Sequence, residues 1–152
     1  MYSLTNALLR QWHRKLALPR QPTASWHRAR LREELWERRT AENSLRKLSE
    51  TSDVLFSISR AQHDGFPIRV RPKFASRYVL IYVYMITKYT LRWKFYQLTA
   101  RLCDVPNYCE VREVVNPGKN HKLDEVAIRH NINAKEFKRV SHQLRRVWPL
   151  LP

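Results

Sequence analysis

Apolar residues recur at helical spacing along most of this chain. Leu4, Leu8, Trp12 and Leu16 fall every four residues and predict a short amphipathic helix, closed by Pro19 and Pro22. Ser25 stands as the N-cap of a second helix from Trp26 to about Lys47, built mainly of Ala, Leu, Glu and Arg. Thr51 and Asp53 open a third, with Val54, Leu55 and Ile58 as its apolar positions and Gly65 as its C-terminal cap. Phe66 to Lys73 carries two prolines around alternating Ile68, Arg69, Val70 and Arg71, and reads as an extended peptide with both arginines outward, against RNA or merely between helices. Tyr78 to Ile86 favours a strand by propensity, yet no turn signal interrupts Ser76 to Leu102. A stretch that long predicts a helix, apolar on all sides in its first half and therefore buried. After Pro106, Asn107 and Glu110 outline a capping box for a short helix carrying Val111, Val114 and Val115, which Asn116-Pro117-Gly118 then turns. The expected fold is mostly α. Residues 1–24 form a basic amphipathic segment with a proline linker, and residues 25–152 a single small basic helical domain.

The most patterned segment lies within 121–148. Leu123, Val126, Ala127 and Ile128 precede His130-Asn131-Ile132-Asn133, and Phe137 and Val140 follow. Asn133 with Glu136 forms a capping box, and Asn131 is the non-glycine residue best suited to a left-handed turn. This segment resembles a helix-turn-helix, with Ala127 at the small position where two helices cross. Asn131 replaces the motif's usual glycine, and His130 departs from its usual apolar residue. In DNA-binding members the second helix enters the major groove through early exposed positions, here Ala134, Lys135, Lys138 and Arg139. The plainer reading is a helical hairpin whose basic second helix touches phosphates.

Charge sharpens the picture. The chain carries 29 Lys and Arg against 13 Asp and Glu, a net +16, which calls for a polyanion nearby. The excess is uneven: residues 1–48 hold eleven basic and four acidic groups, and residues 77–102 five basic and no acidic ones. On the second helix Arg28, Arg32, Arg39 and Arg46 fall within about 40° of one direction, a line suited to RNA phosphates. Glu34 to Arg38 and Glu42 to Arg46 read as helix-supporting pairs. On the long helix Tyr78, Tyr82, Tyr89, Trp93 and Tyr96 share one side, edged by Arg77, Lys88 and Arg92. Such aromatics either stack on unpaired bases or form core with cations at the rim, and continuity with an apolar run favours the core.

Several chemistries have no foothold. Gly65 and Gly118 stand alone, so no phosphate loop, dinucleotide fingerprint or nucleophile elbow can be written. Cys103 and Cys109 match neither a zinc knuckle nor a redox pair, and six scattered histidines include no metal-binding His-Glu-x-x-His. His63-Asp64 beside Gly65 reads as a helix terminus. The chain is expected not to be an enzyme, with no cofactor, metal or small-molecule substrate. Its longest apolar run, Tyr78 to Thr87, falls short of the roughly 20 residues of a membrane-spanning helix.

The first acidic residue is Glu33, and the arginine-rich amphipathic stretch before it has the composition of a mitochondrial targeting segment. Together with Trp26-His27-Arg28-Ala29-Arg30-Leu31-Arg32 and the terminal Val147-Trp148-Pro149-Leu150-Leu151-Pro152, this texture resembles the lineage-specific proteins of mitochondrial ribosomes, particularly those of fungi. The resemblance implies a non-catalytic matrix protein held among rRNA and neighbouring ribosomal proteins. Two rivals are a DNA-binding regulator using Leu123 to Val147, and an assembly factor docking on a membrane surface through Leu4, Leu8, Trp12 and Leu16.

Overall fold

The computed structural model describes residues 2–68 and 78–148, with side chains from Asn6 onward. All regular structure among these residues is helical: α1 (Tyr2–Leu16), α2 (Ala24–Thr40), α3 (Ser44–Asp64), α4 (Tyr78–Leu102), a 3-10 turn (Tyr108–Glu110), α5 (Asn120–Arg129) and α6 (Ala134–Arg145). The long helix expected over 76–102 is present as α4. The chain divides into two compact units, Met1–Ile86 and Thr87–Pro152. The boundary between the units falls inside α4, and α1 belongs to the first of them. Residues 1–24 are no separate appendage, because α1 packs on α3 and supplies core side chains to the first unit.

The helix expected from Trp26 to Lys47 is two helices. Thr23, not Ser25, caps α2, its side chain accepting from the Trp26 N–H at 3.3 Å. The chain leaves helical geometry after Thr40, and Asn43 restarts it by accepting from the Arg46 N–H at 2.8 Å. Asn43 ranks among the best N-caps, so the residue that starts α3 also ends any continuation of α2. Neither expected charge pair forms, and only the Glu42–Arg46 pair spans that break. Glu42 lies outside both helices, and Arg46 faces Glu50 at 3.9 Å. Arg38 Nε donates to Thr51 Oγ1 at 3.0 Å, while Glu34 pairs with Arg30. Gly65 does end α3 in the left-handed region at φ 96°, as its lack of a Cβ allows.

The first unit buries Leu9, Leu16, Leu31, Val54, Leu55 and Ala61, with many polar groups among them. α3 turns Ser49, Ser52, Ser57 and Ser59 inward. Such small side chains admit a neighbouring helix closely, and two of them return their hydroxyls to their own helix. Ser52 Oγ donates to the Ser49 carbonyl at 2.5 Å and Ser59 Oγ to the Phe56 carbonyl at 3.0 Å. α1 presents Leu9, His13 and Leu16, a face turned from the one expected, and Leu8 is 56% exposed. On this face His13 Nε2 meets Ser59 Oγ at 3.0 Å.

Within 78–86 of α4, Met85 is buried while Val79, Leu80 and Val83 are exposed, so this stretch is not enclosed on all sides. An apolar run sets helix length and hydropathy, but neighbours decide burial.

The second unit is built on one apolar cluster: Phe95, Tyr96 and Ala100 of α4, Val111, Leu123, Val126 and Ala127, and Phe137 of α6. Tyr96 stacks on Phe137 with ring centres 6.3 Å apart, and Trp148 meets Phe95 edge-on at 5.7 Å. The Trp148 indole N–H reaches the Leu91 carbonyl at 3.1 Å. Asn107 makes no side-chain cap, and Tyr108–Glu110 is one 3-10 turn in place of the short helix expected there. Val111 leaves it extended and enters the core. Asn116 Oδ1 accepts from the Gly118 N–H at 2.8 Å and forms the expected turn.

Candidate nucleic-acid interface

The exposed side of α2 carries the clearest cationic line. Arg28, Arg32 and Arg39 lie within about 40° of one another around the helix, and all three are exposed. His27, Leu31 and Glu34 occupy the buried side. Among the described residues no carboxylate pairs with any of these three guanidinium groups. Trp36, 64% exposed, stands one helical turn beyond Arg32 and just before Arg39. Arg46, expected fourth in the line, belongs to the first turn of α3 and faces Glu50.

α6 supplies a second basic surface. Asn133 caps it, accepting from the Glu136 N–H at 3.1 Å, and Asn131 takes the left-handed conformation at φ 54°. Ala127, Phe137 and Val140 are buried as the pattern predicts. Asp124, Ala134, Lys135, Lys138, Arg139 and His142 line a shallow cleft of about 540 Å³. Its cations are partly engaged. Lys138 Nζ holds Asp124 at 2.8 Å and Arg139 reaches Glu136 at 3.4 Å, which leaves Lys135 the least constrained.

No family model matches the chain, nor does any curated protein or solved structure.

Two other expected contacts are withdrawn by burial. Lys88 and Arg92 are sealed against solvent, with the Arg92 guanidinium 5.2 Å from the Tyr89 ring centre and the Lys88 ammonium 5.9 Å from it. Cations held on an aromatic face inside the protein are not offered to phosphates. Tyr89 and Tyr96 of the aromatic side are buried and Tyr78, Tyr82 and Trp93 half-buried, so two of its five rings are core and none stands fully exposed. Arg69, Arg71 and Arg77 lie outside the described residues.

Polar groups also gather inside the first unit. Asp64 Oδ2 accepts from Arg60 Nε at 3.0 Å and from the Gln21 N–H at 3.1 Å, and His27 Nε2 lies 3.5 Å away. His63-Asp64 is therefore a helix terminus that locks the Pro19–Gln21 linker onto α3, since Arg60 also bonds the Pro19 carbonyl. Burial, with the neighbouring His63 and Arg60 charges, pushes His13 down to about 3, so its ring is neutral near pH 7. Its contact with Ser59 lacks the carboxylate that would orient the ring, because His13 Nδ1 has no hydrogen-bond partner.

Glu34, Glu50 and Asp53 each bring an oxygen within 4.8 Å of the others, the grouping among the described residues best able to offer oxygen ligands to a hard cation. Arg30 already occupies Glu34. Burial and the nearby acids push the Glu34 carboxyl up to about 7, against the pull of Arg30, so protonation relieves part of the trio's charge.

Proposed function

We propose that this protein is a non-catalytic RNA-binding component of the mitochondrial ribosome, held among rRNA and neighbouring proteins mainly through phosphate contacts. The observation that carries the reading is the α2 line of Arg28, Arg32 and Arg39, exposed together and without a carboxylate partner among the described residues. Planar guanidinium groups spaced along a helix suit successive phosphates, and a chain of net +16 needs such a partner. Lys135 and the rest of the α6 surface supply a second point of attachment. The mitochondrial matrix assignment rests on the acid-free arginine-rich start. Because α1 is core, residues 1–24 would act as an address without being removed.

The rival reading as a DNA regulator is weaker here, since Lys138 and Arg139 are tied to Asp124 and Glu136. Membrane docking through α1 loses Leu16 to the core and half of Trp12. Replacing Arg28, Arg32 and Arg39 together by Gln keeps helix propensity nearly level. The triple variant should lose RNA affinity and co-sedimentation with a ribosomal subunit, more than a control triple at exposed Arg10, Lys47 and Arg146. Titration across salt concentration should give a steep slope for the parent, reduced by about three for the α2 variant. Equal losses from both triples would assign binding to net charge and overturn the interface.

A further inference from the structure

We propose that the exposed face of α2 is a binding site for single-stranded RNA, in which Trp36 stacks on an unpaired base while Arg32 and Arg39 hold the flanking phosphates. This rests on the RNA-binding reading above and specifies which RNA form and which contact.

Arg28, Arg32, Trp36 and Arg39 follow one another at i, i+4, i+8 and i+11. On a helix this places the indole about 6 Å along the axis from Arg32 and about 4.5 Å from Arg39, all on one side. The other four tryptophans each have a ring or a cation against the indole. Trp12 meets His13 and Phe56, Trp26 meets His27, Trp93 lies under Lys94 and Arg112, and Trp148 meets Phe95. Trp36 has no ring contact among the described residues and gives up most of its surface to water. A single exposed apolar residue is ordinary; a large flat one set between two unpaired guanidinium groups has the composition of a base-stacking platform.

The surrounding charge supports the choice of partner. Glu33, one turn before Trp36, is bound by Arg30 at 2.6 Å. A phosphate chain would therefore follow the arginine side, where no carboxylate among the described residues pairs with Arg28, Arg32 or Arg39. Duplex RNA conceals its base faces, so only an unpaired base can lie on the indole.

The test uses the full-length protein with an unstructured oligouridylate and a hairpin duplex of equal length, at several salt concentrations. The parent should prefer the single strand and show tryptophan quenching that Trp36→Phe removes in large part. Trp36→Ala should cost roughly ten- to a hundredfold in single-strand affinity, the size of one base–aromatic stack, and leave duplex binding unchanged. Trp36→Phe should restore most of that affinity. Circular dichroism checks that the exposed substitution leaves the fold intact. If Trp36→Ala binds both RNAs as the parent does, the stacking proposal falls while the RNA-binding reading stands. If the parent binds neither RNA at low salt, the broader reading falls with it. Equal binding of an acidic peptide with the same Trp36 dependence would reassign the face to a protein partner.

Discussion

Glu34 and His13 are both sealed inside the first unit, and burial acts on them with opposite sign. The Glu34 carboxyl, raised from 4.5 to about 7, holds its proton in the folded chain over a range where the unfolded chain has lost it. Stability contributed by the protonated form is full below pH 4.5 and declines as pH rises to about 7. His13, lowered from 6.5 to about 3, does the reverse: stability falls as pH drops from 6.5 toward 3. Glu34→Gln removes the first effect and keeps an acceptor for Arg30. It should stabilise the protein at pH 8 by up to about 3 kcal/mol and scarcely at pH 4.5, read by urea unfolding. A loss at pH 8 would mean the Arg30 pairing outweighs the cost of burying the charge. Neither residue's role was legible from its type. A glutamate on a charged helix reads as solvated, and only the approach of α3 shows that position 34 faces inward.

Helix ends are legible where a single residue dominates the local energetics, and misleading where two signals compete. Gly65, Asn131 and Asn133 each do what their backbone and capping preferences require. Between α2 and α3 the Glu42–Arg46 spacing suggested a continuous helix, but an N-cap at Asn43 is worth more than one exposed ion pair. The four-arginine line consequently became three. Trp36 is invisible to periodicity, because an apolar residue on a polar face adds nothing to a repeating pattern. The hairpin of α5 and α6 was more legible, since Ala127, Phe137 and Val140 all reach the core. Ala127→Leu would force a branched side chain into a fully buried position and should destabilise by about 1–3 kcal/mol. Lys135→Ala, exposed on α6, should leave the unfolding midpoint unchanged and lower RNA affinity modestly. A reproducible sequence recovered from random duplex DNA would instead support groove reading by this hairpin.

For the molecule as a whole, fold class could be read from periodicity, while the division into units could not. Composition shifts at Pro19 and Pro22 suggested a linker between an address and a domain. The linker is instead clasped by Arg60 and Asp64, and Leu9, His13 and Leu16 complete the first unit's core. Deleting residues 1–17 should therefore lower the thermal midpoint and expose apolar surface to dye, where removal of an unattached leader would change neither. α1 also has a place in time. Ser59, which receives His13, lies 46 residues further along the chain. At roughly 5–20 residues per second of synthesis, α1 waits several seconds before its docking surface exists. During that interval it is an undocked basic segment without an acidic residue, open to whatever recognises such a segment. Once α3 emerges, Leu9, His13 and Leu16 are covered, and whatever recognises the uncovered segment loses access through folding alone.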